Sequence, residues 1–193
     1  MPDSFENVTI MWKEIVIIFA FLFLVRFMFD VYMLKQYNAI VKDFYANKSV
    51  YGKIKKLQKI CNIFSSALWN QKTCLMYNNL CCILASIALL NNNESEFLLE
   101  LNNVKREEKY ELKSFILALY FLSKNNQSMA QSNYEKYLIC KHENNNINIV
   151  LSKLFSSQNY SKNDERFLNA IASFKNPAIK KLLSEYTGGK TGG

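Results

Sequence analysis

The only histidine of the chain, His142, stands two residues from Cys140, and no other ligand pair is spaced to complete a tetrahedral metal site with them. Five cysteines occur, and the remaining four, Cys61, Cys74, Cys81 and Cys82, form no CxxC pair and fall among apolar residues at helical intervals. They are expected to be buried, reduced thiols of a reducing compartment. Cys81 and Cys82 lie inside the apolar run Leu80 to Leu90, where a thiolate is disfavoured. Glu107 and Glu108 sit beside Lys105 and Arg106 and read as a charged helix start. There is no glycine-rich phosphate loop. No catalytic residue, metal or cofactor is therefore expected, and the chain is not read as an enzyme.

Cationic side chains are the more prominent chemistry. The formal net charge is +8, and residues 35–193 alone carry 22 basic against 12 acidic side chains. Almost all are lysines, with arginine only at 26, 106 and 166, and lysine offers little bidentate base readout, so nucleic acid is a minor alternative partner. The densest cluster is Lys48, Lys53, Lys55, Lys56 and Lys59, interleaved with Ile54, Leu57 and Ile60. One helix could separate these into a basic and an apolar face, which suits either an anionic lipid surface or an ordinary solvated helix face.

These residues need elements to hold them. Half the chain is hydrophobic, and it has only five glycines and two prolines, with four of the glycines in the last six residues. Such a scarcity of turn formers predicts an all-α protein of long helices joined by short polar links, with the Asn runs at 91–93, 125–126 and 144–146 as the links. Residues 15–34, IVIIFAFLFLVRFMFDVYML, hold two charges and as a helix would span about 30 Å, the thickness of a hydrocarbon core. A retained single-pass transmembrane helix is expected there, because the preceding segment is acidic and no small-residue cleavage site follows. Lys13 is the one basic residue before it, whereas Lys35, Lys42 and the 48–59 cluster follow, so residues 35–186 are expected in the cytoplasm and 1–14 outside. Trp12 and Tyr32 fall where aromatic rings favour the interface.

Arg26 and Asp30 are the intramembrane polar residues of this reading, and each is costly at mid-bilayer. Four residues apart on one face, they can pair with each other, snorkel, or meet another membrane subunit. A further alternative makes only Ile15 to Val25 strongly apolar and assigns it to a soluble core.

Beyond the anchor, apolar spacing predicts helices at 36–46, 50–69, 72–91, 94–104, 108–124, 127–141, 146–157, 162–174 and 176–186. One unit has Leu117, Ala118 and Phe121, the turn Asn125-Asn126-Gln127, then Ala130, Tyr134 and Tyr137. A copy 33 residues earlier has Leu84, Ala85 and Ala88, then Phe97, Leu101 and Val104. A poorer copy 34 residues later has Leu151, Ser152 and Phe155, then Asp164, Leu168 and Ile171. These residues resemble the tetratricopeptide pattern. The resemblance covers about residues 72–174 as pattern and 36–186 as architecture, and an irregular helical bundle is its alternative. It implies an α-solenoid of antiparallel helix pairs behind the anchor, as in bacterial assembly or quality-control factors of that layout.

The implied function is a membrane-anchored adaptor or scaffold that binds a protein partner, such as a subunit of a membrane complex. A lipid-surface structural protein that grips anionic lipids through the polybasic helix is the alternative. The solenoid's inner helices would offer aromatic and polar side chains, among them Asn78, Asn79, Lys113 and Tyr120; Tyr110, Tyr134, Tyr137 and Tyr160 are further aromatic candidates, most of them packing. The tail at 187–193 repeats Thr-Gly-Gly and is expected to be flexible; its Gly-Gly end resembles those of ubiquitin-like modifiers, although a helical body is unlike their β-grasp fold.

Overall fold

The computed structural model describes residues 3–46, 48–65, 71–105, 110–140, 145–155 and 164–188, with 3–11, 65, 71 and 186–188 as backbone only. Among the described residues the chain is all-helical: α1 (Asp3–Tyr45), α2 (Tyr51–Ser65), α3 (Gln71–Leu90), α4 (Glu94–Asn102), α5 (Glu111–Ser123), α6 (Gln127–Ile139), α7 (Asn145–Phe155), α8 (Glu165–Ser173) and α9 (Pro177–Gly188). It divides into two compact units, Met1–Lys42 and Asp43–Gly193.

The first unit lies on α1, a helix of 43 residues that takes in both the expected anchor and the separate helix expected at 36–46. Between Leu34 and Tyr45 there is no glycine, proline or Asn pair to stop it, so the helix runs on. It is long and apolar enough to cross a membrane. Every side chain from Val16 to Val25 is exposed.

The second unit is a packed helical body. Packing joins α2 to α3, α3 to α4, α5 to α6 and α7 to α8, and α9 comes back onto α3 and α5. Fully buried Ile54, Leu80, Leu84, Phe97, Phe115, Tyr137, Leu151 and Phe167 place the core along these interfaces. The links between α3 and α4 and between α5 and α6 share the same local structure. Asn92 and Asn125 are left-handed, with φ of 56° and 55°. Asn93 N–H donates to Ala88 O and Asn92 N–H to Leu89 O, while Asn126 N–H donates to Phe121 O and Asn125 N–H to Leu122 O. These are the paired bonds of a Schellman ending. The following Asn then caps the next helix: Asn93 Oδ1 accepts from Glu96 N–H and Asn126 Oδ1 from Met129 N–H. The 33-residue period seen in the sequence is thus a repeated backbone turn.

Side chains follow the period less closely. Ala85 and Ala118 are both fully buried, as are Phe97 and Ala130, but Phe97 fills its place with a ring 4.7 Å from that of Tyr120. In the later copy, Asp164 does not take the buried place of Ala130. Its carboxylate accepts from Arg166 and Phe167 N–H as the cap of α8, and Phe167 and Ala170 are buried instead. The main packing of α9 is also unlike a neighbours-only stack of repeats, since it bypasses α7 and α8 to reach α3.

Candidate functional site

The lysine cluster spans the loop before α2 and the helix itself. Ile54 and Leu57 are buried against the body and Ile60 is half-buried, so the apolar face of α2 faces protein and only its charged face is presented outward. Asp43 holds Lys48 at 3.5 Å and Lys53 at 3.1 Å, and the Lys53 hydrogen bond draws the Asp43 carboxyl below its ordinary range. Lys56 and Lys59 are exposed.

Lys55 turns inward to a polar group that the sequence reading did not single out. Its ammonium donates to Glu100 Oε1. Gln58 Nε2 donates to Glu100 Oε2 at 2.9 Å and lies 3.2 Å from Cys81 Sγ. Glu100 is 1% exposed, and α2, α3 and α4 are stitched together by this set. Outside it, Tyr51 OH donates to Glu96 at 2.7 Å and Lys55 lies 5.6 Å from the Tyr51 ring centre. The signal for Glu100 was present, since it falls between Phe97 and Leu101 on the apolar face of α4, where a carboxylate must find a buried partner.

The four residues expected to meet a partner are engaged within the body. Asn78 grips the backbone of Lys105, donating to its carbonyl at 2.8 Å and accepting from its N–H at 2.9 Å. Lys105 in turn donates to Asn62 at 2.7 Å and stands 4.7 Å from the Tyr77 ring centre. Asn79 accepts from Tyr110 OH. Lys113 is buried nearby, close enough for its charge to act on Cys82 against the effect of burial. The structure therefore gathers Asn79, Tyr110, Cys82 and Lys113 between α3 and α5. Tyr120 is elsewhere, buried against Phe97, at a surface bridge between Glu94 and Lys124. Tyr134 stacks on Phe155 at 4.5 Å. Arg26 and Asp30 are both half-buried on α1, and neither lacks a partner.

All five cysteines are free and buried. Burial pushes Cys61 up to about 11 and Cys82 up to about 12, and it raises Cys81 as well, so these thiols stay protonated and poorly nucleophilic at neutral pH. Among the described residues no cluster of three or more His, Cys, Asp or Glu could hold a metal. Arg106, Glu107, Glu108, His142, Tyr160 and residues 189–193 lie outside the described residues; α9 extends two residues into the expected tail, to Gly188. A cleft of about 300 Å³ is lined by Phe44, Val50, Tyr51, Ile87, Leu90 and Pro177, with Lys48, Ser49 and Asn91; the Lys48 that lines it is bound to Asp43. Comparison with known proteins finds no matching family model, curated protein or solved structure.

Proposed function

We propose that this chain is a membrane-tethered adaptor in which α1 crosses the bilayer once and the helical body, on the cytoplasmic side, recruits a protein partner as an accessory subunit of a membrane complex. One observation carries the reading: α1 exposes an unbroken apolar surface from Val16 to Val25, while the body is a separate unit with its own buried core. Ten contiguous exposed apolar residues are costly in water and favourable in lipid. The lysine excess after the helix supports the cytoplasmic side for the body.

The partner-binding half rests on the helix pairs of the body. Two identical turns 33 residues apart, with alanines buried at matching places, support a degenerate tetratricopeptide-like stack. The body holds its polar groups in internal bonds and its thiols protonated, which suits a scaffold better than an enzyme.

Extraction in mild detergent followed by affinity purification tests both halves. The chain is expected in the membrane fraction, with a stoichiometric protein partner and with its C-terminal half shielded from protease added to intact cells. A detergent-free soluble monomer, or no partner at any detergent strength, would reject the proposal.

A further inference from the structure

The last helix of the chain is also a ligand-like one. α9 buries Ala178, Ile179, Leu182 and Leu183, a single stripe at i, i+1, i+4 and i+5, and leaves Lys180, Ser184 and Glu185 exposed. That stripe lies on α3 and α5, the opening helices of the two pairs that share the repeated turn. An amphipathic helix seated on two others is the arrangement by which grooves accept helical partners.

Its polar attachments are separable from the rest of the body. Asn176 Nδ2 donates to Ser86 Oγ at 2.9 Å, but Ser86 itself donates to Cys82 O at 2.8 Å and keeps that bond without α9. Asn176 also caps α9, accepting from Ala178 N–H at 2.9 Å, so the helix carries its own cap. Lys181 reaches Asn92 Oδ1 at 3.0 Å and Leu89 O at 3.5 Å, both at the α3 turn. Phe174, in the short link before α9, stacks on Phe115 at 5.3 Å. Removing α9 strands no polar group of α3 that these bonds satisfied, apart from a turn open to water.

We infer that the α3–α5 face is the docking surface for the partner, that α9 is its internal occupant, and that the partner is an amphipathic helix of α9's pattern which exchanges with it. This rests on the adaptor reading and names the surface it uses. A partner must then compete with a tethered helix, so binding is held back until α9 releases.

The test uses the full chain in detergent and a labelled peptide of residues 176–188. By hydrogen exchange, α9 amides are expected to open at least about tenfold more readily than those of α3 and α5. Asn176→Ala weakens only the tethered copy, and is expected to raise peptide uptake about fivefold or more over the unaltered chain. Lys181→Gln, which removes only the contacts at the α3 turn, carries the same expectation if the first variant misfolds. Equal protection of the three helices, or no peptide uptake by either variant while α3 and α5 stay protected, overturns the inference. Helix exchange with no protein partner co-purifying would show that α9 releases but would reject the adaptor reading and, with it, the partner's place on this face.

Discussion

Two helices of this chain have the length and apolar character of a membrane span, and they end in opposite surroundings. In α1 the apolar stretch is uncovered, whereas about 72% of the corresponding stretch of α3 is buried inside the body. Their sequences differ in what accompanies the apolar residues. In α3 they are mixed with Asn78, Asn79, Ser86, three cysteines and a threonine, small or polar groups several of which reach partners on α2, the segment after α4, and α9. Between Ile15 and Val25, α1 has only large aliphatic and aromatic side chains around Ala20. A helix that packs against three others, as α3 does against α2, α4 and α9, needs alanine for close approach and polar groups for register; one solvated by lipid needs neither.

The strongest way to break this contrast is to cut the same side chain from both helices. Leu84→Ala, at a fully buried position of α3, is expected to cost the body about 2–5 kcal/mol in a denaturant melt in detergent. Leu22→Ala, at an exposed position of α1, should leave that melt within about 0.5 kcal/mol. Equal losses would mean that α1 is a core helix like α3. The reciprocal change loads the membrane instead: Leu22→Arg is expected to cost insertion about 3 kcal/mol and to shift the chain out of the membrane fraction, with the body's melt unchanged.

Next in size is the buried pair that fixes α2 against α4. Lys55→Met leaves Glu100 in the core with Gln58 as its remaining hydrogen-bond donor on α2, and should cost about 2–3 kcal/mol, below the loss for a fully enclosed pair because the Lys55 side chain is 32% exposed. Burial tends to lower the Lys55 pKa, but the Glu100 hydrogen bond and charge outweigh it and raise it above 10.5. A raised cation stabilises the fold below its unfolded value and loses that contribution as pH climbs through the native one. The gap between the unaltered and Lys55→Met chains should therefore hold at neutral pH and narrow only above about pH 10.5.

Most helix positions were legible because the breaks are chemical. Helices read at 72–91, 94–104 and 127–141 became Gln71–Leu90, Glu94–Asn102 and Gln127–Ile139, since Asn residues both accept left-handed backbone and cap the next helix. Where no breaker stood, between Leu34 and Tyr45, the reading divided one helix into two. Long-range pairing was not legible. Periodicity shows that α9 has a buried stripe and that Glu100 faces inward, but not that α3 receives the first or that Lys55 and Gln58 receive the second. The same limit applies to Asn78 and Asn79: polar residues on a helix near a proposed groove look the same whether they await a partner or hold a neighbouring loop.

The smallest expected effect concerns the turn that follows α3 and recurs after α5. Asn92→Ala and Asn125→Ala each put a Cβ-bearing residue without a local hydrogen-bonding side chain at a φ of 56° or 55°, and each should cost about 1 kcal/mol, while glycine at either place should be close to neutral. If the turns are equivalent units of a repeat, the two alanine variants should agree to within about 0.5 kcal/mol, and the double variant should be additive. Lys181 bonds to Asn92, and among the described residues no counterpart contact is made at Asn125, so an excess loss at Asn92 would measure what α9 adds to the first turn. A large loss at Asn125 alone would instead mean that the second pair depends on its turn for folding and the first does not, and the matched period would then be a resemblance of backbone without a matching role in stability.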